Sequence, residues 1–263
     1  MLDELTAIVA RASALIRATS PGNVDRRLKP DSSPVTAADE ASEAAILTAL
    51  ARLLPKVPVI SEEMAGSMTP PALDRSFIVV DPLDGTKEFL AGSDQFTVNL
   101  AIVTRGVPIA GIIAAPMRGR IWRGIVGSKA ERLRLLPDGA DQPQAIRTRR
   151  WPAQGAVATV SRSHFDARTD EFLSRLAPVT RTPSGSAIKF CHIAEGAADV
   201  YPRLATTCEW DVAAGHALVA AAGGIVTTPQ GTALLYGRVA ENFRVPAFIA
   251  WGDPAKAAII GTS

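Results

Sequence analysis

The sequence is poor in cysteine and in long apolar runs, and each absence excludes a class of protein. Two cysteines among 263 residues, Cys191 and Cys208, are too few for a disulfide framework and wrongly spaced for a CxxC motif. We therefore expect free thiols in a reducing compartment. No apolar run is as long as a transmembrane helix, which needs about 18 residues. The charged residues Asp3 and Glu4 near the start do not fit a signal peptide. These features predict a cytoplasmic protein with no integral membrane segment.

The chain also lacks a strong excess of charge of either sign. A formal net charge of +2 is too small to indicate a protein that binds a nucleic acid polymer. We interpret the cationic stretch 147–151 as a solvated loop. Whether the protein also contacts the cytoplasmic face of an inner membrane as a peripheral protein is left open. Hydrophobic residues at 47% and charged residues at 21% are typical of a globular enzyme. The oligomeric state is left open.

Helical and strand periodicities alternate along the chain and predict a layered α/β fold. We expect Ser184 to cap one helix and Gly196 to follow its end. The predicted helices cover 2–16, 39–54, 165–176, 184–195 and 211–222, and the predicted strands cover 57–61, 76–81, 96–104, 107–114, 120–126, 156–161, 178–182 and 198–202, with short strands near 225 and 247. Residues rich in Pro, Gly, Gln and Arg predict a linker at 141–154 between an N-terminal half, 1–140, and a C-terminal half, 155–263.

The segment from Val79 to Phe89 carries the strongest chemical signal. An apolar strand ends there in Asp81 and Asp84, which are separated by Pro82 and Leu83. Carboxylates on a bent loop at a strand end offer the hard oxygen ligands that Mg²⁺ prefers. Pro82 biases the preceding residue toward an extended conformation, so the Leu83 carbonyl is a further candidate ligand. A plain surface turn is the alternative interpretation.

The residues that follow this loop suit a phosphate group. Gly85 allows a sharp turn, and Thr86 stands at a predicted helix N-terminus, where free N–H groups favour an anion. Further acids stand at the edges of apolar elements: Glu62, Glu63, Asp39 and Asp211. Asp211 alone could be a helix-dipole partner, which is worth only ~0.3–1 kcal/mol. Gathered together, these carboxylates would repel one another unless cations were present.

Three of these segments resemble the signatures of the inositol-monophosphatase-like superfamily, a group of Mg²⁺-dependent, lithium-sensitive phosphomonoesterases. They are Ser61-Glu62-Glu63, Asp81-Pro82-Leu83-Asp84-Gly85-Thr86 and Trp210-Asp211-Val212-Ala213-Ala214-Gly215. The continuation Lys87-Glu88-Phe89 is similar to the 3′(2′),5′-bisphosphate nucleotidase branch. Further segments similar to that branch are Ser161-Arg162-Ser163-His164, Ser184-Gly185-Ser186, Lys189-Phe190-Cys191 and Tyr201-Pro202-Arg203. The resemblance implies a five-layer αβαβα sandwich.

The resemblance also assigns roles to individual residues. It implies two or three Mg²⁺ ions, inhibition by Li⁺, and metal ligation by Glu62, Asp81, the Leu83 carbonyl, Asp84 and Asp211. Thr86 and Asp39 match the pair that takes a proton from the attacking water, and Glu63 is expected to support the metal site. The candidate substrate-binding residues are Gly85, Thr86, Ser163, His164, Ser186, Lys189, Arg203 and Asp211.

Substrate choice rests on less specific features. Ser186 and Lys189 are three apart and are expected on one helical turn, where with Arg203 they would hold a second phosphate. Ordinary exposed cations are the alternative for Lys189 and Arg203. The expected activity is hydrolysis of the 3′-phosphate of adenosine 3′,5′-bisphosphate, extending to 3′-phosphoadenylyl sulfate, in sulfur assimilation. The alternatives are the same chemistry on inositol 1-phosphate or fructose 1,6-bisphosphate, and a non-catalytic sensor of nucleotide or metal.

Overall fold

Helical layers and β-sheets alternate through the fold. The structure is a computed structural model, and it describes residues 1–19, 26–28, 34–65, 75–162, 166–176 and 178–260. The helices are α1 (Leu2–Ala18), α2 (Ala37–Leu53), α3 (Thr86–Leu90), α4 (Ala167–Arg175), α5 (Ile188–Ala194), α6 (Glu209–Ala221) and α7 (Pro254–Ile260). The strands are β1 (Arg26–Leu28), β2 (Pro34–Thr36), β3 (Val59–Ser61), β4 (Ser76–Asp84), β5 (Thr97–Thr104), β6 (Val107–Ala115), β7 (Arg120–Ile125), β8 (Lys129–Leu136), β9 (Gly139–Ala145), β10 (Ala156–Ser161), β11 (Val179–Ser184), β12 (Val200–Arg203), β13 (Thr207–Cys208), β14 (Ile225–Thr227), β15 (Arg244–Val245) and β16 (Phe248–Trp251).

The larger sheet has the strand order β3-β4-β5-β6-β7-β8-β9 within the described ranges. Only its β3–β4 pair is parallel, and the remaining pairs form an antiparallel meander. Strand β4 is buried on both faces, as its apolar run requires. Phe77 and Val79 pack toward the central helices, whereas Ile78 and Val80 pack toward α1 and α2.

The smaller sheet has the order β11-β10-β12-β16-β14. Helices α5 and α6 lie between the two sheets and share one apolar core with both. On its outer face the smaller sheet packs against residues of α4 and α7, including Leu173 and Ala257. The layers therefore follow the order αβαβα, which confirms the predicted sandwich. No helix in the described ranges is both long and apolar enough to cross a lipid bilayer.

Two glycines bring the central helices close to their neighbours. A Cβ on Gly111 of β6 would lie 2.2 Å from the carbonyl oxygen of Ala214 in α6. A Cβ on Gly215 would lie 2.2 Å from the ring of Phe190 in α5. Both distances are far below van der Waals contact, so any side chain larger than hydrogen would move α6. The position of α6 matters because its first turn carries Asp211.

The structure corrects two local predictions. Helix α5 begins at Ile188 rather than at 184, and Ser184 ends strand β11 instead of capping the helix. Gly196, with φ 71°, does follow the end of α5 as predicted. Residues 141–145 of the predicted linker belong to β9, which pairs with β8 through Ala145. The connection between the two sheets is therefore shorter than expected, and the division into halves at 1–140 and 155–263 stays a prediction.

Candidate active site

A cleft of about 350 Å³ opens where the end of β4 faces the first turn of α6. It gathers side chains that are distant along the chain, from the start of α3, the approach to α5, strand β12 and the first turn of α6. The predicted site residues that line it are Glu62, Asp81, Leu83, Asp84, Gly85, Thr86, Ser186, Lys189, Arg203 and Asp211.

Three carboxylates meet in this cleft. One carboxylate oxygen each from Asp81, Asp84 and Asp211 lies within 4.8 Å of the others. Asp211 occupies the third position of α6, where its Oδ2 accepts a hydrogen bond from the Cys208 N–H at 3.2 Å and another from the Thr207 hydroxyl. These bonds fix the Asp211 side chain on the side of the cleft opposite β4.

A bulge in β4 explains how two aspartates three residues apart meet on one face. In a regular strand, residues i and i+3 point to opposite faces. Here Asp81 pairs with Asn99 and Asp84 pairs with Thr97, so three steps on β4 match two steps on β5. The extra residue in β4 restores the alternation, and both aspartates point the same way. The bulge at Pro82 and Leu83 therefore places the carboxylates of Asp81 and Asp84 on the same face of the sheet.

The electrostatics of the cluster favour a bound cation. Burial, followed by the negative charges of Glu62, Asp84 and Asp211, raises the pKa of Asp81 well above its usual value. Burial, followed by the charge of Asp211, raises the pKa of Asp84 to about 6, while the cation Lys189 opposes the rise. Such shifts mean that the ionised carboxylates destabilise one another when no positive charge lies between them.

Hydrogen bonding within the described residues leaves a buried oxygen of Asp81 without a donor. Asp81, 1% exposed, accepts a hydrogen bond on Oδ1 from the Leu83 N–H at 3.0 Å. Its Oδ2 is buried and has no hydrogen-bond partner among the described residues. A buried carboxylate oxygen in this state is costly unless something else binds it. An all-oxygen donor set with an orphaned carboxylate atom fits Mg²⁺.

Thr86 and Asp39 form a hydrogen-bonded pair beside the cluster. The Thr86 hydroxyl donates to Asp39 Oδ1 at 3.1 Å, and Asp39 Oδ2 accepts from the Thr36 hydroxyl at 2.6 Å and from the Thr36 N–H at 2.8 Å. Thr36 is the N-cap of α2 and Asp39 its third residue, so a capping box holds the carboxylate in place. Burial raises the pKa of Asp39, and the hydrogen bonds from Thr36 and Thr86 oppose that rise.

The opposite wall of the cleft carries cations and a loop. The Lys189 ammonium donates to the Ser186 carbonyl at 2.6 Å and lies 5.2 Å from the centre of the Tyr201 ring. Burial lowers the pKa of Lys189 to about 8. Ser186 precedes α5 and has φ 45°, so the prediction that it shares a helical turn with Lys189 is wrong. Its buried hydroxyl has no hydrogen-bond partner among the described residues.

Some predicted residues lie elsewhere, and several lining residues, among them an arginine, were not predicted. Glu63 does not line the cleft, and Ser163 and His164 lie outside the described residues. Arg244 of β15 does line it. No local motif marks this arginine in the sequence, because it reaches the cleft only through the pairing of β15 with β13.

The sequence matches the Inositol monophosphatase family over residues 1–251. The 3′(2′),5′-bisphosphate nucleotidase CysQ of Escherichia coli (strain K12) is 39% identical over 255 residues, which are 94% of this chain and 98% of that protein. A protein of the same name from Buchnera aphidicola is 35% identical over 238 residues, 90% of this chain and 87% of that protein.

Two solved structures show the same architecture. CysQ from Bacteroides thetaiotaomicron has a TM-score of 0.80 and 32% identity, covering 94% of this chain and 95% of that one. Inositol monophosphatase from Anabaena has a TM-score of 0.75 and 25% identity, covering 98% of this chain and 94% of that one. This chain belongs to the inositol monophosphatase family.

Proposed function

We propose that this protein is a Mg²⁺-dependent 3′(2′),5′-bisphosphate nucleotidase, which hydrolyses the 3′-phosphate of adenosine 3′,5′-bisphosphate to AMP and phosphate. One observation carries the chemistry: three carboxylates with oxygens within 4.8 Å of one another share a cleft with Thr86, whose hydroxyl donates a hydrogen bond to Asp39. The substrate is supported by the name of the similar proteins from E. coli and Buchnera. The proposal extends to 3′-phosphoadenylyl sulfate and to a cytoplasmic role in sulfur assimilation.

The metal ligands in this proposal are Glu62, Asp81, the Leu83 carbonyl, Asp84 and Asp211, which all line the cleft. Two or three Mg²⁺ ions bound there would neutralise phosphate charge, provide a nucleophile at neutral pH and stabilise the leaving oxygen. Inhibition by Li⁺ is expected with this site. Glu63 lies outside the cleft lining, so a role for it would be exerted through its neighbour Glu62.

The chain's own residues supply the proton transfer. The Thr86 hydroxyl already donates to Asp39, so its oxygen is free to accept a proton from an attacking water while its own proton passes to Asp39. A threonine hydroxyl alone is a poor base, and the raised pKa of Asp39 makes this carboxylate a better acceptor. The N–H groups at the start of α3, beside Gly85, would hold the phosphate.

The opposite wall suits a second anionic group. Lys189, Arg203 and Ser186 all line the cleft, and the Ser186 hydroxyl has no hydrogen-bond partner within the described ranges. A bisphosphate carries an anion that an inositol monophosphate lacks, so these cations favour the nucleotide. Inositol 1-phosphate is a competing substrate, since the Anabaena structure is named an inositol monophosphatase. Fructose 1,6-bisphosphate, which also carries two phosphates, is a second competitor. A non-catalytic sensor is a more distant alternative.

A substrate panel tests the proposal. Purified protein is assayed for phosphate release from adenosine 3′,5′-bisphosphate, inositol 1-phosphate and fructose 1,6-bisphosphate, each with Mg²⁺ and with EDTA. We expect Mg²⁺-dependent release with the highest kcat/KM on the nucleotide. Equal or higher turnover of inositol phosphate would refute the substrate assignment. Nucleotide binding without phosphate release at saturating Mg²⁺ would favour the sensor.

A further inference from the structure

Arg244 approaches the cleft from a strand that no motif marks. Strands β13 and β15 form a two-residue antiparallel ladder in which Arg244 stands directly opposite Cys208. Asp211 follows Cys208 by one helical turn, so the ladder fixes the Arg244 backbone relative to the carboxylate cluster. The Arg244 carbonyl also accepts a hydrogen bond from Arg238 Nε at 3.1 Å. The backbone is therefore held, while the side chain is exposed at the cleft.

The charge of Arg244 is not used within the described part of the chain. Another cation of the cleft, Lys189, has an internal partner, since it donates to the Ser186 carbonyl, whereas the buried Nε of Arg203 has no hydrogen-bond partner among the described residues. Arg244 forms no ion pair with any described carboxylate, although the exposed arginines 134 and 175 of the same chain do. An exposed, unpaired guanidinium on the wall of a cleft is free to bind a ligand.

Arg244 and Arg203 line the same cleft. Arg244 stands opposite Cys208 in the ladder of β13 and β15, and Arg203 ends β12 a few residues before β13 begins. A phosphate on this side of the cleft would have two arginines as candidate partners, and arginines bind phosphate oxygens with paired, charge-assisted hydrogen bonds.

We propose that Arg244, with Arg203, binds the anionic group at the 5′ position of the nucleotide and so makes the enzyme prefer bisphosphates to monophosphates. This inference rests on the proposed function and adds a specificity-determining residue to it. The carboxylate cluster, where the 3′-phosphate would bind, and Arg244 line one and the same cleft. A 3′-monophosphate has nothing for Arg244 to bind, so its hydrolysis does not depend on this residue.

The test compares two substrates that differ by the 5′-phosphate alone, adenosine 3′,5′-bisphosphate and adenosine 3′-monophosphate. The variants are Arg244→Ala, Arg244→Lys and the control Arg120→Ala, which removes the same charge from an exposed position of β7 outside the cleft. We expect Arg244→Ala to raise KM for the bisphosphate by about 10-fold or more, the usual scale for lost charged hydrogen bonds. The KM for the monophosphate should stay within about twofold, and kcat should change little.

Further variants and outcomes distinguish a substrate-binding role of Arg244 from other causes of a changed KM. Arg244→Lys should recover part of the lost affinity, because it restores the charge without the planar fork. Should the alanine variant fail to fold, Arg244→Gln takes its place with the same expectation. An equal KM rise for both substrates, or an unchanged KM for the bisphosphate, would overturn the role of Arg244. Parent protein that releases no phosphate from either nucleotide would instead refute the proposed function.

Discussion

Replacing Asp84 with Asn removes one negative charge from the carboxylate cluster and leaves the size of the side chain unchanged. The pKa of Asp84 rises from 3.8 to about 6, mainly by burial and then by the charge of Asp211. Each pKa unit corresponds to about 1.4 kcal/mol, so the ionised carboxylate destabilises the metal-free fold by up to about 3 kcal/mol at neutral pH. The sign follows from linkage: a carboxyl with a raised folded-state pKa stabilises the fold in acid, and that contribution is lost as the pH rises from 3.8 through about 6.

The expected result follows directly. In EDTA at neutral pH, Asp84→Asn should raise the unfolding free energy by up to about 3 kcal/mol, or Tm by about 6–12 °C for a chain of this size. The gain should vanish below about pH 4, where the native carboxyl is protonated as well. With Mg²⁺, the parent protein should gain stability by ligand binding, whereas the variant should gain less and lose turnover.

Thermal unfolding with and without Mg²⁺, at neutral and acidic pH, measures these effects. Asp141→Asn is the matched control. Asp141 lies on β9, at the edge of the larger sheet, where its exposed side chain pairs with Arg134 of β8. The control should change neither the Mg²⁺ response nor turnover. A metal-free Asp84→Asn variant that is less stable than the parent at neutral pH would refute the electrostatic reasoning.

Three further predictions address the proton pair, the core and the cation wall. Thr86→Val, or Asp39→Asn, should lower kcat by about 10²-fold or more, and Thr86→Ser should restore much of it; unchanged kcat would remove the pair from the mechanism. Gly215→Ala should destabilise the protein by about 1–3 kcal/mol in chemical denaturation, because overpacking against a phenylalanine ring outweighs the better helix propensity of alanine. Gly139→Ala, in open space, is its control, and equal stability of the two variants would contradict the packing argument. Lys189→Ala should raise KM for bisphosphates several-fold, and an unchanged KM would exclude it from the substrate site.

The strand-end aspartates were predictable because local sequence determines their geometry. Pro82 and Leu83 interrupt a strong apolar strand, and hard oxygen ligands at such a break indicate a cation site whatever the rest of the fold. The layered architecture was likewise predictable from alternating periodicities, and the αβαβα order followed from the family resemblance. The pairing of Thr86 with Asp39 followed from the family resemblance, and the structure contains the hydrogen bond between them.

Other features depend on tertiary contacts that no local pattern reveals. Ser186 adopts a left-handed conformation before α5, which displaced the predicted start of that helix. Strand β9 carries few apolar residues, and its pairing with β8 at the edge of the larger sheet overrides that composition. Arg244 reaches the cleft because a two-residue ladder joins segments more than thirty positions apart. Spacing along the chain cannot predict such a placement.

The most direct test of the account is the location of the cation itself. Crystals grown with Mn²⁺ in place of Mg²⁺ allow the ion to be found by its anomalous scattering. The account predicts peaks within coordination distance of Asp81, Asp84 and Asp211, and loss of at least one peak in Asp84→Asn. A catalytically active crystal form with no ion bound to these three carboxylates would contradict the account.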